Sequence, residues 1–232
     1  MSIFKYEFNL NEFFSSLPYD REVYTNGDEL FRSPDYPTIF YIGKGKTGST
    51  ALVKNIKNAK VAHWHSTAYY EYVHSTKNAL AKRNLTVYDF VEWINENIHP
   101  VKVIEAYRDP VAQYLSALAH WGVNPEYELY QKMLDVRYPK ITFQKELEKP
   151  SSPLDVIYLK TENSENWDNI LAEHGIEFNN TITNINKSSA YKTAVDRICL
   201  PKWQLDIIYN DKKVQELYTK EEIEQFYEKW SY

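Results

Sequence analysis

The sequence predicts an α/β fold in which a parallel sheet carries helices on both faces. Three observations point there. Four short apolar runs have the length and residue choice of buried strands. Most of them are followed by helical spacing, and strands alternating with helices form parallel sheets. One run passes straight into a glycine-rich turn and then an apolar helical pattern.

The four runs are 37–43 (PTIFYIG), 60–65 (KVAHWH), 101–107 (VKVIEAY) and 154–160 (LDVIYLK), each bounded by charged or turn residues. Thr86 offers a helix cap, after which Val87, Val91, Ile94 and Ile98 recur on one face. Asp109-Pro110 is a stronger start signal, since Asp caps and Pro suits the first helical position, where no N–H is needed. Thr219 and Glu222 form a capping box. It opens a helix whose stripe of Ile223, Phe226, Tyr227 and Trp230 reads as packing. The polar stretch 121–153, rich in Tyr and Lys, reads as an irregular or helical insertion walling an acceptor cleft. Residues 1–36 read as an N-terminal extension. The chain of 232 residues fits a single domain, 1–232.

A net charge of -5 argues against nucleic acid as the main partner, because such proteins present a basic face. It leaves room for a local basic pocket holding one anionic cofactor. The single cysteine, Cys199, allows neither an internal disulfide nor a cysteine-based metal site. Lys5, Glu7 and Glu12 interrupt the start of the chain where a signal peptide needs an apolar run, and no stretch approaches the roughly 18 apolar residues of a membrane span. A soluble, cytoplasmic protein without a membrane partner is the expectation. Aromatic residues make up 16% of the chain, enough for a large core and for Tyr or Trp faces lining a groove.

The most informative segment runs from Tyr41 to Leu52 (YIGKGKTGSTAL). A strand, a glycine-rich turn and a helix in this order cradle phosphate-like anions. Glycines let the backbone curl so that successive N–H groups converge, and the helix start adds its positive end. Lys46 contributes a charge, and Thr47, Ser49 and Thr50 offer hydroxyls. The segment nearly matches the triphosphate pattern G-x-x-x-x-G-K-[ST] from Gly43 to Gly48, but Ser49 stands where that pattern needs lysine.

A second signal is VIEAYRDPVAQYLS, from Val103 to Ser116. Arg108 closes a strand, Asp109-Pro110 starts a helix, and Ser116 follows. In a parallel sheet, ligands bind beyond the carboxyl ends of the strands, and both Lys46 and Arg108 stand at such ends. A guanidinium grips phosphate bidentately, as a lysine cannot.

Together the two segments resemble the PAPS-dependent sulfotransferases, which use 3'-phosphoadenosine 5'-phosphosulfate. Lys46-Thr47-Gly48-Ser49-Thr50 matches the family's 5'-phosphosulfate loop, and Arg108-Asp109-Pro110 through Ser116 matches its 3'-phosphate motif. The wording is most similar to the carbohydrate-type branch. The resemblance implies a P-loop nucleotide-kinase-like three-layer fold with a parallel sheet of about five strands flanked by helices. It implies transfer of a sulfuryl group from PAPS to an acceptor hydroxyl by in-line displacement, leaving PAP, adenosine 3',5'-bisphosphate, with no metal required. The acceptor would be a hydroxyl-bearing small molecule or glycan. By that match Lys46 would be catalytic, stabilising the bridging oxygen. Lys46, Thr47, Gly48, Ser49 and Thr50 would bind the 5'-phosphosulfate, and Arg108 and Ser116 the 3'-phosphate.

The chain also departs from the family pattern. Gly45 replaces the usual proline, Ala51 stands where cytosolic members carry an adenine-stacking tryptophan, and no glycine-bearing basic loop is evident. Lys187, Ser188 and Lys192 are the residues available to substitute for that loop. Two other readings stand beside this one. A P-loop kinase acting on ATP would need a lysine after Gly48 and a strand-end Asp for magnesium, for which Asp109 is a weak candidate. A non-catalytic sulfotransferase-like binding protein would keep the pocket alone. For the general base, His63 and His65 share one face of a strand expected beside the phosphate loop. His65 lies nearer the carboxyl end, and some carbohydrate-type members carry a similar His-x-His. His65 is therefore the expected base, with His63 in support and His74 and Glu105 next in line.

Overall fold

The computed structural model describes residues 21–25, 29–33, 37–43, 46–57, 59–65, 87–120, 154–180 and 189–231. These residues form a six-stranded sheet of β1 (Arg21–Thr25), β2 (Glu29–Ser33), β3 (Ile39–Gly43), β4 (Lys60–His65), β5 (Lys102–Tyr107) and β6 (Asp155–Lys160). The order across the sheet is β2-β1-β4-β3-β5-β6. Strands β4, β3, β5 and β6 run parallel.

All five residues of β3 are buried, which explains its near-continuous apolar run. Ile39 and Tyr41 pack with Leu52 and Val53 of helix α1 (Ser49–Asn55) and with Trp167 and Leu171 of a later helix. Alternation turns Phe40 and Ile42 to the opposite face, and both are buried too. Strand β3 is therefore covered on both sides. Helix α2 (Val87–Asn97) buries Phe90, Val91 and Ile94, which lie on one apolar stripe.

The remaining helices are α3 (Pro110–His120), α4 (Trp167–Glu173), α5 (Ser189–Arg197), α6 (Lys202–Tyr209), α7 (Lys212–Leu217) and α8 (Lys220–Trp230). A 3₁₀ segment, Thr161–Asn166, joins β6 to α4. Helix α3 starts as its sequence predicts, with the Asp109 carboxylate accepting from the Val111 N–H at 3.1 Å. The capping box of α8 is formed in both directions, by Thr219 and Glu222. Its stripe is packing: Ile223, Phe226 and Trp230 join one apolar cluster with Val111, Ala112 and Leu115 of α3. Among the described residues no helix is long and apolar enough to cross a membrane.

Two expectations change. Among the described residues the sheet has four parallel strands where about five were expected, and the β1–β2 hairpin extends it by antiparallel pairing of β1 with β4. Part of the 1–36 extension therefore belongs to the sheet. These two strands are short and carry Arg21, Glu22, Glu29 and Arg32 in sequence, charges that blur the alternation signal. The insertion at 121–153 lies outside the described residues.

The topology positions the site. From β3 the chain moves first to β4 on one side and then to β5 on the other. The carboxyl ends of β3 and β5 therefore flank a point where the winding reverses, and open α/β sheets bind ligands in that crevice.

Candidate functional site

The loop after β3 is shaped by Tyr41 below it. The Tyr41 hydroxyl lies 2.5 Å from Thr47 Oγ1 and also bonds the Ser49 side chain. A β-carbon on Gly43 would stand 2.8 Å from that hydroxyl, so a strand residue with a side chain does not fit there. Burial pushes the Tyr41 phenol far above its ordinary value, which keeps it a neutral hydrogen-bonding post. The ring of His63 meets Tyr41 edge-on, with centroids 5.3 Å apart.

Two backbone turns complete the loop. Lys46 has φ 72°, a left-handed conformation that costs a non-glycine residue roughly 1–3 kcal/mol. Gly48, with φ 76°, starts α1, and a β-carbon on it would come within 2.9 Å of the Trp167 ring. Helix α1 has seven residues, so the formal charges beside it outweigh its dipole in the local potential. Thr47 is 1% exposed and Ser49 is buried, while Lys46, Gly48 and Thr50 remain half-buried. The Thr47 and Ser49 hydroxyls thus serve the loop's interior, and Lys46 and Thr50 are the side chains at its open side.

Arg108 follows β5 and reaches the same loop. Its Nη1 donates to the Lys46 carbonyl at 3.1 Å, and its Nη2 donates to the Tyr191 hydroxyl of α5 at 2.5 Å. The guanidinium carbon stands 5.5 Å from the Tyr191 ring centroid. Burial, and then the charge of Arg108, hold the Lys46 ammonium below the usual lysine range. Neither cation forms an ion pair with a carboxylate among the described residues. Comparison with family models, curated proteins and solved structures finds no match for this chain.

Beneath Arg108 the neighbouring Asp109 is a buried hub, 1% exposed. Its Oδ1 accepts from the Tyr209 hydroxyl at 2.8 Å, and its Oδ2 accepts from the Trp230 indole at 2.7 Å. The Asp109 N–H donates to Glu162 Oε1 at 2.7 Å, and the Tyr218 hydroxyl donates to the other Glu162 oxygen at 3.3 Å. Burial pushes both carboxyls upward against these donors. Thr161 secures the strand end by donating to the Tyr107 carbonyl at 2.8 Å.

The structure thus brings Lys46 and Arg108 together, with Gly48 and Thr50 beside them. Ser116 is 2% exposed inside α3, so only a rearranged surface would open its hydroxyl to a ligand. The backbone of His65 ends β4 in register with Gly43; its side chain lies outside the described residues, as do Lys187 and Ser188. Lys192 is exposed on α5. Glu105 is 4% exposed, accepts a hydrogen bond from the Tyr107 hydroxyl, and is pushed up to about 7 by burial, with Lys213 opposing.

Sequence reasoning did not assign Tyr41, Tyr191 or Glu162 to the site. It read Asp109 as a cap without seeing Tyr209 and Trp230 as its donors. Tyr41 looked like one more core aromatic, and the partners of Arg108 and Asp109 on the C-terminal helices lie 83 to 121 positions away. Helical or strand periodicity carries no information over such separations.

Proposed function

We propose that this chain is a PAPS-dependent sulfotransferase that transfers a sulfuryl group to the hydroxyl of a carbohydrate acceptor. One observation carries the reading: the Arg108 guanidinium donates to the Lys46 carbonyl at the switch point of the sheet. Two cations from separate motifs therefore border one crevice, as binding of a doubly anionic nucleotide requires.

The donor set suits such a ligand. Lys46 and Arg108 supply charge, Arg108 keeps N–H groups for a planar bidentate grip, and Thr50 adds a half-buried hydroxyl. Thr47, Gly48 and Ser49 would contribute through their backbone N–H groups, because the two hydroxyls are engaged with Tyr41. Arg108 would hold the 3'-phosphate, and Ser116, buried in α3, would join it only after a rearrangement of that surface. PAPS supplies the activated sulfuryl group when bound. An ammonium held below the lysine range gives up a proton more readily, so Lys46 is suited to neutralise a leaving phosphate oxygen. His65, at the end of the strand beside the loop, would take the proton of the attacking hydroxyl. Tyr158 is 45% exposed and its ring lies 6.1 Å from that of Tyr107, an aromatic face of the kind that stacks on sugars. A cytoplasmic location accompanies this reading.

The kinase alternative loses its acidic residue here: both Asp109 oxygens are occupied by protein donors. The test is a thermal-shift comparison of PAP with ATP plus magnesium, followed by mass spectrometry of glycans, phenols and small alcohols incubated with PAPS. PAP without magnesium should stabilise the fold by about 2.7 kcal/mol at a hundredfold excess over Kd. Equal shifts from both nucleotides, or a magnesium requirement, would count for the kinase.

A further inference from the structure

We propose that Tyr191 is a positioning residue that fixes the Arg108 guanidinium for an incoming phosphate. The inference rests on the sulfotransferase reading only for the identity of that phosphate. Arginine carries large rotamer entropy, and a guanidinium free to swing loses that freedom when it grips an anion. Here it is held at two different nitrogens. Nη1 is tied to the Lys46 carbonyl and Nη2 to the Tyr191 hydroxyl, and two such points define the plane of the group. The Tyr191 ring, 5.5 Å from the guanidinium carbon, adds a cation–π contact on the same side chain. Of the five N–H groups of an arginine, the bonds to described residues use two.

The support is firm enough to do this. Tyr191 belongs to α5, which packs against α3, the helix that begins two residues after Arg108. Ala194 and Ile198, at the third and seventh positions beyond Tyr191, are buried in the cluster that also holds Val111 and Leu115. Tyrosine and arginine are therefore carried by two elements of one packed unit. The hydroxyl matters because it accepts; a phenylalanine would keep the stacked ring and lose the second fixed point.

A double-mutant cycle read by titration calorimetry tests this, using PAP and inorganic pyrophosphate as ligands. Tyr191→Phe should weaken both ligands roughly tenfold without lowering the melting temperature. Tyr191→Leu, which also loses the ring, should bind more weakly still. In an Arg108→Ala background, Tyr191→Phe should change nothing further. Parent-like affinity in Tyr191→Phe would overturn the proposal. So would an equal loss with and without Arg108, since Tyr191 would then act on its own. If the parent binds pyrophosphate but not PAP, the sulfotransferase reading falls, and the same cycle on pyrophosphate still decides the role of Tyr191. A parent that binds neither overturns both.

Discussion

Arg108 holds Lys46 by its main chain: the guanidinium donates to the Lys46 carbonyl at 3.1 Å, although the two side-chain charges repel. The lysine whose backbone is fixed this way is also the one non-glycine residue with positive φ among the described residues. Strain and charge are thus concentrated at one position of the loop, where the surrounding contacts impose them.

Replacing Lys46 should separate these two roles. Lys46→Gly and Lys46→Ala both remove the ammonium, but only glycine relieves the left-handed conformation. Lys46→Gly should unfold in urea with about 1 kcal/mol more stability than Lys46→Ala, while both lose sulfuryl transfer. Equal stabilities would mean that the loop relaxes in the variants and stores no strain.

Glu105 should make stability depend on pH. Its carboxyl titrates at about 7 in the folded chain, above the ordinary 4.5, so folding favours the protonated form. Its contribution is therefore complete below about pH 4.5, falls as pH rises, and is gone above about pH 7. The loss is on the order of 3 kcal/mol. Urea unfolding at several pH values should show this slope in the parent and lose it in Glu105→Gln. A variant with the parent's slope would place the responsible group elsewhere.

His65→Ala should lower kcat by about 10²–10⁴ and leave PAP affinity nearly intact, as expected for loss of a general base. His63→Ala should do less, because His63 packs edge-on against Tyr41 under the loop. Its effect should instead appear in stability. If His65→Ala keeps full activity, the base passes to His63, His74 or Glu105, to be tried in the same way.

The Asp109 hub should be costly to disturb. Trp230→Phe leaves Oδ2 without its indole donor and should cost about 1–3 kcal/mol. Asp109→Ala strands the Tyr209 hydroxyl, the Trp230 indole and the Val111 N–H together, and should cost more. Chemical denaturation of both variants gives the ranking, and the reverse order would show that the donors find other partners.

How much of this was legible in the sequence follows from where each signal lies. The four parallel strands were, because each is a short, largely apolar run, uninterrupted where both faces are buried, as in Ile39–Gly43. The β1–β2 hairpin was not, since its charged five-residue strands show no such run. Lys46 and Arg108 were visible because each sits in a local motif at a strand end. The inward turn of Thr47 and Ser49 depends on one core tyrosine, and Tyr191 reaches Arg108 from 83 positions away. Local pattern has no access to either.

The bond from Asp109 to Trp230 also sets an order in time. A growing chain lengthens at about 5–20 residues per second. Between the emergence of Asp109 and that of Trp230, 121 positions later, roughly 6–24 seconds pass. During that interval the nascent sheet can assemble, but the aspartate beside Arg108 lacks the Trp230 indole throughout and, for the first 100 positions, the Tyr209 hydroxyl as well. The crevice therefore matures only when α6 and α8 have been made, and a chain interrupted before them carries the loop between β3 and α1 without the footing of its arginine.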